Sequence, residues 1–403
     1  MLDENGNGFL FMIHPPRLDH YLKGGSYLLN KRLFGSLLVF AMVISSMAFV
    51  SGIAQTSKTP ASKTSQVSND LLATLPASDG VINVDVQRLL NEMLPRVLAD
   101  NPAKLAEVNA RIDQIKTRTA IDIRAFDRIA IGMRFVNAEK PDSLKVESVA
   151  LARGNFSAPA MLAAGLLVSR DKYKYQQQKY GGKTIYIFRS EELFGKDQLP
   201  PVTVGEEAKK AGGKAAEMAD DLLQKLMNLK GEIAIVAVDA NTIAVGQLNS
   251  VRAAIDASAG RGRVSNALTA LATRDPNGVV GCGLNVPAKA SRFFGFENDQ
   301  IAANIDAMRQ VFGSVTSTTT GFEMQNIVRT ATAPQAREVY DMFMGFKDLG
   351  GFFASNLTGD KGKLAQNALE NLKITKEDNE VQIRLGLAQS DVAMLMRVFD
   401  KRN

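Results

Sequence analysis

The side chains that most often carry acid–base chemistry are nearly absent from this chain of 403 residues. Both histidines, His14 and His20, precede an apolar segment at 33–54, so the sequence from residue 55 onward contains none. That part of the chain can form neither a Ser-His-Asp triad nor a Cys-His pair, and it lacks the commonest metal ligand. The composition therefore excludes histidine-dependent hydrolases and most zinc enzymes. It predicts no metal site and no cofactor.

A lone cysteine, Cys282, lies between Gly281 and Gly283 in an apolar run at 279–284. One cysteine cannot form an intramolecular disulfide or a thiolate metal cluster. Free cysteine packs as a small apolar side chain. The run therefore predicts a strand in which Cys282 belongs to the core rather than to an active site.

Residues 182–184, Gly-Lys-Thr, match the end of a phosphate-binding loop. The full pattern also needs a glycine where this chain has Gln177, and a helix where Ile185 to Phe188 predict a strand. We therefore expect a β-turn at this position and no nucleotide.

Paired carboxylates can hydrolyse glycosides without histidine. Adjacent acidic residues occur at 191–192, 220–221 and 377–378, all in predicted loops or exposed helix. Sugar sites usually also offer aromatic platforms, and tryptophan is absent. No catalytic residue is predicted, although an exported hydrolase that uses paired carboxylates stays open as an alternative.

Phenylalanine and methionine are concentrated in two stretches of the second half of the sequence. Such side chains could line a pocket for a lipid or another apolar ligand, or they could simply form core. The candidate lining residues are Phe293, Phe294, Phe296, Met342, Phe343 and Phe346.

The formal net charge is +6, from 48 basic and 42 acidic residues. Nucleic-acid binding needs basic residues clustered on one face, preferably with aromatic residues between them. The densest basic runs are only Arg-Gly-Arg at 261–263 and Lys-Gly-Lys at 361–363. We expect no nucleic-acid partner.

The N-terminal part of the sequence predicts export. A tail at 1–32 ends in Lys31-Arg32, an uncharged apolar stretch follows at 33–54, and a linker rich in serine and threonine occupies 55–74. This order is typical of a secretory signal cleaved after Ala54, but about 20 apolar residues also suffice for a retained anchor in the inner membrane. Both alternatives place the rest of the chain outside the cytoplasm.

Beyond the linker, alternating and helical hydrophobic patterns predict an α+β fold with antiparallel sheets and helices packed on one face. The pattern divides into halves at 75–260 and 261–403, with a mobile insertion at about 190–215 in the first half. The order of elements suggests that these halves are a pseudo-repeat. In the second half we predict helices at 287–295, 299–312 and 334–346, a strand at 318–330, a hairpin at 371–388 and a final helix at 389–400.

Four short segments resemble uncharacterised exported bacterial proteins of the domain-of-unknown-function type. The likeness is best over 75–260, and its motifs are strand ends and turns. It therefore implies location and an α+β fold, but no active residue. The segments are Leu75-Pro76-Ala77-Ser78, Ala152-Arg153-Gly154-Asn155-Phe156, Tyr180-Gly181-Gly182-Lys183-Thr184-Ile185-Tyr186 and Ala240-Asn241-Thr242-Ile243-Ala244-Val245-Gly246.

Together these patterns predict an exported, non-enzymatic envelope protein, periplasmic, secreted or anchored, that acts by binding or assembly. The expected partners are other envelope proteins or an apolar small ligand. A carrier of a lipid or another apolar ligand, and a hydrolase, are the alternatives.

Overall fold

The computed structural model describes residues 71–136, 145–169, 174–189, 231–293 and 298–400. Several predicted features lie outside these residues: the tail at 1–32, the apolar segment 33–54 with Ala54, the linker up to residue 70, and the insertion at 190–215. Among the helices that the structure does describe, none is both long enough and apolar enough to cross a membrane.

Helices and strands occur in short runs along the described chain, with one to four elements of the same kind in succession. The α-helices are α1 Val86–Arg88, α2 Leu94–Val97, α3 Pro102–Thr119, α4 Ala158–Ser169, α5 Leu248–Ser258, α6 Asn266–Ala272, α7 Asp299–Ala307, α8 Ala333–Ala354, α9 Gly359–Asn371 and α10 Gln389–Asp400. The strands are β1 Gly80–Asp85, β2 Phe126–Val136, β3 Lys145–Gly154, β4 Tyr175–Tyr180, β5 Lys183–Arg189, β6 Glu232–Ala237, β7 Thr242–Gly246, β8 Val280–Asn285, β9 Met308–Ser317, β10 Gly321–Thr330, β11 Leu372–Glu377 and β12 Glu380–Ala388.

All twelve strands join one sheet in the order β11-β12-β10-β9-β8-β1-β2-β3-β7-β6-β5-β4. Every neighbouring pair is antiparallel. The predicted α+β class with antiparallel strands is therefore confirmed. The strands form one continuous sheet, because β1 pairs with β8 along residues 80–84 and joins the two predicted halves.

The pseudo-repeat stays a prediction. Strands β1 to β7 make one side of the sheet, and β8 to β12 make the other. Each side has a hairpin next to the strand at the junction, β2–β3 beside β1 and β9–β10 beside β8, but the first side has seven described strands and the second has five.

Helices cover both faces of the central sheet, so the expectation that they pack on one face is wrong there. Val81 and Ala234 pack with α5 and α6 on what we call face 1. Ile82 packs with the helical segments around α2 and α3, and Ile233 packs with α4, on the opposite face 2. Successive residues of a strand point to opposite faces, so strands that are apolar at every position need cover on both sides.

The one-sided arrangement does hold at the β12 end of the sheet. Val381 and Ile383 lie on face 2 beneath α8. Lys373 and Arg384, paired across β11 and β12, are exposed on face 1. The alternation of apolar and polar residues in this hairpin predicted the outcome correctly.

The packed fold begins earlier than the sequence suggested. Leu71 and Leu72 are fully buried in the same cluster as Leu75 and Val81. The end of the predicted linker at residue 74 is therefore wrong, and residues 71–74 belong to the core. Two leucines that border a polar stretch gave no periodicity from which to predict this.

Two further elements differ from the prediction, one in its boundary and one in its existence. Residues 308–312 were expected to end a helix, but they begin β9, in which Val311 and Phe312 pair with β10 and are buried on opposite faces. Helix α9 was not predicted, because its thirteen residues contain few apolar side chains beyond Leu364 and Leu369.

Candidate functional site

The longest helix of the described chain, α8, carries three of the six candidate lining residues. It begins after Thr332, whose carbonyl accepts from the Ala336 N–H at 3.1 Å. Ala336, Val339 and Phe343 are buried and follow one another at spacings of three and four. These spacings place them on one side of the helix, towards face 2.

Met342, Phe343 and Phe346 lie together and pack against the sheet. Their cluster includes Val328 of β10 and Val381 of β12. These side chains fill the space between helix and sheet. Phe293 ends a 3₁₀ helix at Ala290–Phe293, but its side chain and residues 294–297 lie outside the described part of the chain.

Apolar side chains continue past the core to the exposed end of α8. Leu349 is 37% exposed, Phe352 is 68% exposed, and Leu357, just beyond the helix, is 46% exposed. We call these three residues the α8-end surface. Leu349 and Phe352 are three positions apart and therefore share a side of the helix. The sequence analysis missed Leu349 and Leu357, because neither has an apolar side chain directly beside it in the sequence.

The position of Leu357 is fixed by the next helix. A Cβ at Gly362 of α9 would lie 2.3 Å from the Leu357 carbonyl oxygen, so α9 approaches this backbone closely. The Leu357 N–H donates to the Ala354 carbonyl at 3.1 Å. The α8-end surface is therefore held by the α8–α9 turn.

A separate charged cluster lies on face 1, where β9, β10 and β12 meet. Arg274 and Arg329 both bind the Glu380 carboxylate, with shortest distances of 3.1 and 2.7 Å. The two guanidinium groups also lie 4.9 and 5.1 Å from the ring centre of the buried Phe312. Partial burial alone would raise the pKa of Glu380, but hydrogen bonds from the two arginines outweigh it and lower the pKa below its usual value. Because both arginines bind the one carboxylate, the cluster links β10 and β12 to the segment between α6 and β8 that carries Arg274.

We expect this cluster to make the free energy of unfolding depend on pH. Folding lowers the pKa of Glu380. The Glu380 carboxylate therefore contributes fully to the free energy of unfolding above the ordinary glutamate pKa of about 4.3, and this contribution is lost as the pH falls below that value. Glu380→Gln should cost about 1–2 kcal/mol in the free energy of unfolding at pH 7, and much less near pH 3. Urea unfolding at both pH values measures this. Glu370→Gln, at an exposed position of α9, is the control; an equal loss for Glu380→Gln at both pH values would contradict the assignment.

A row of polar side chains crosses face 1 at the end of β1. Asp85, Arg128, Arg153 and Thr242 occupy paired positions on β1, β2, β3 and β7. Asp85 and Arg128 form an ion pair at 3.0 Å with side chains only 4% and 7% exposed. Arg153 donates to Thr242 Oγ1 at 2.9 Å and to Asp239 at 3.2 Å. The row joins four strands.

The remaining candidates for chemistry do not converge. Glu377 ends β11 and Asp378 begins the turn to β12, while 191–192 and 220–221 lie outside the described residues. Residues 181 and 182 have positive φ angles at the β4–β5 turn, which confirms the predicted β-turn. Within the ranges that the structure covers, no group of three or more metal-ligating side chains occurs.

Cys282 lies in β8 as predicted and is partly exposed. It packs beside Ile82 and Val280. Desolvation raises the pKa of its thiol to about 11. The thiolate is the reactive form of cysteine. This environment favours an inert structural role.

Comparison with protein-family profiles finds no match, and comparison with curated proteins finds none either. Among solved structures, crystal forms I, III and IV of TP0453 are similar to this chain, with TM-scores of 0.37, 0.38 and 0.38. They are 9%, 10% and 10% identical to it. The matches cover 82%, 82% and 83% of this chain and 97%, 98% and 99% of those chains. Similarity at this distance assigns neither a function nor a site residue.

Proposed function

We propose that this protein is an exported, non-enzymatic envelope protein that binds another envelope protein through the α8-end surface. The observation that supports this most directly is the exposure of Phe352, Leu349 and Leu357 within nine residues of chain. Phenylalanine is commonly buried in folded proteins, and exposed apolar side chains that lie together often mark a binding surface.

The sequence supports the export part of the proposal. The apolar stretch at 33–54 follows Lys31-Arg32 and precedes a polar linker, as in a secretory signal or a membrane anchor. The absence of histidine from residue 55 onward favours binding over catalysis.

An apolar-ligand carrier is the second candidate, because Met342, Phe343 and Phe346 form an apolar layer under α8. These side chains already pack on Val328 and Val381. A ligand would therefore have to displace side chains from the core. A binding surface at the exposed end of the same helix requires no such rearrangement, and we favour it for that reason.

Crosslinking in intact cells, followed by fractionation and mass spectrometry, tests the proposal. We expect the native chain to form a discrete heteromeric adduct in the membrane or periplasmic fraction. Phe352→Ser should reduce that adduct by about tenfold, which is a typical loss for an aromatic side chain at the centre of an interface. Because Phe352 is 68% exposed, this change should leave the fold intact.

Ile115→Ser is the matched control, since Ile115 is 40% exposed on α3 and is not part of the α8-end surface. The control variant should form the adduct as the native chain does. A chain found only in the cytosol would refute export. An adduct that survives Phe352→Ser, or that is lost equally in the control, would refute the binding surface.

A further inference from the structure

The two edges of the sheet differ in how they are protected. Strand β11 forms one edge and β4 forms the other, and within the described residues no strand pairs with the outer side of either. An edge strand presents backbone N–H and C=O groups to which another strand could bind. Proteins usually block such edges with lysines, bulges, prolines or a covering segment.

The β11 edge is blocked by a lysine. Glu377 and Glu380 flank a two-residue turn and therefore exchange hydrogen bonds. Bonded and non-bonded pairs alternate along antiparallel strands, so Leu372 and Lys376 direct their backbone groups away from β12. Lys347 of α8 donates to the outward carbonyl of Leu372 at 2.5 Å. A strand added at this edge would have to displace that lysine.

The β4 edge is open in the described part of the chain. The β4–β5 turn also has two residues, so Tyr180 and Lys183 on either side of it exchange hydrogen bonds. By the same alternation, Tyr175, Gln177 and Lys179 direct their N–H and C=O groups away from β5. Lys179 is the only charged side chain of this strand, which contains neither a proline nor a bulge.

Strand β4 is held in place at both ends. On face 2, the ring of Tyr175 packs on Tyr186 and Phe188, with ring centres 5.8 and 5.4 Å away. On face 1, the Tyr180 hydroxyl donates to the Asp256 carboxylate of α5 at 2.7 Å. The strand is therefore extended and fixed before anything binds, which lowers the entropy cost of adding another strand.

We propose that two copies of this chain pair through β4, antiparallel and about a two-fold axis at Gln177. Gln177 then bonds to Gln177 of the second copy, and Tyr175 bonds to Lys179 in both directions, which gives about six backbone hydrogen bonds. The one charge of the strand faces an uncharged tyrosine, so no like charges meet. Gln176 faces Gln178 of the second copy, and both amides can donate and accept.

A second copy suits this edge better than a peptide from another protein. It brings a strand of the same length that is equally held in place, so no segment has to become ordered on binding. The pairing also leaves the α8-end surface free, because α8 packs on β10 and β12 at the opposite end of the sheet.

Sedimentation of the purified full chain in a mild detergent tests this inference. The native chain should form a dimer. Gln177→Pro removes an outward N–H that β5 does not use, and it should raise the dissociation constant of the dimer by at least about tenfold. Lys376→Pro is the matched control, since it makes the same change at an outward position of β11, and it should leave the dissociation constant unchanged.

Two further substitutions test the pairing without a proline. Gln177→Lys places two lysines opposite each other, so it should weaken the dimer more at low salt than at high salt. Gln177→Cys should form a disulfide-linked dimer on mild oxidation, because the two Cα atoms would lie about 5.5 Å apart. Lys376→Cys, and the native chain with Cys282 alone, should form such a dimer at least about tenfold more slowly.

A monomeric native chain would overturn the inference, whether its β4 edge stays free or binds a strand of another protein. A dimer that persists unchanged in both Gln177→Pro and Gln177→Lys would also overturn it, since the interface would then lie elsewhere. Equally fast disulfide formation by Gln177→Cys and Lys376→Cys would indicate random collision and would contradict the two-fold axis at Gln177.

Discussion

Gly281→Ala should destabilise the protein by about 3 kcal/mol, because a Cβ at this position has no space. It would lie 2.0 Å from the carbonyl oxygen of Ala272, the last residue of α6. The obstacle is backbone, so no side-chain rotation can relieve the clash. Helix α6 would have to move away from β8, where Leu268 and Leu271 now belong to the main core cluster.

Urea unfolding of the Gly281→Ala variant measures this loss, with Gly386→Ala as the control. Gly386 also lies in a strand, β12, but no atom lies within 4 Å of its Cβ position and its φ is not positive. The control should change stability by about 0.5 kcal/mol or less, and in the favourable direction. Similar free energies of unfolding for the two variants would show that α6 does not rest on β8 as described.

Arg128→Met should lower the free energy of unfolding by about 3–5 kcal/mol, because it leaves the Asp85 carboxylate buried without its cation. The two side chains are 7% and 4% exposed and lie 3.0 Å apart. Asp85 also accepts from the Arg88 N–H at 3.0 Å and so caps α1. Burial lowers the pKa of Arg128, and the Asp85 charge partly offsets that shift.

A double-mutant cycle with Asp85→Asn separates the pair from the cap. Asparagine keeps an oxygen for the Arg88 N–H but removes the charge. The double variant should therefore lose less stability than the sum of the single variants, by about 1 kcal/mol or more. Arg337→Met, which breaks an exposed pair with Asp341 at 3.8 Å, is the control and should cost less than about 0.5 kcal/mol. Additive losses in the cycle would mean that the two buried charges do not interact.

Local sequence patterns predicted most of the helices and strands, but they predicted fewer of the residues at which these elements begin and end. Alternation predicted the hairpin at 371–388, because a sheet face exposed to water leaves a repeat of two in the sequence. Residues 308–312 carried a mixed pattern, so the helix before them was extended too far. Their pairing with β10 brings together residues up to 22 positions apart, from Met308 to Thr330, and a local window cannot detect this.

The sequence identified an apolar group on α8 but not the α8-end surface. Met342, Phe343 and Phe346 were identified as an apolar group, and the structure brings them together. Which apolar residues remain exposed depends on neighbours that are distant in the sequence. Leu349 and Phe352 are exposed, whereas Val339 on the same helix is covered by the sheet.

The sequence by itself determined the secondary-structure class, the lack of histidine from residue 55 onward and the strand that contains Cys282, because each follows from residue type or local spacing. Only the tertiary structure decided that one sheet joins both halves through β1 and β8, and that helices cover both of its faces. It also decided that Asp85 and Arg128 meet in the interior. These features depend on contacts between strands that are far apart in the chain. Such contacts produce no local repeat of apolar residues in the sequence, so a sequence pattern cannot predict them.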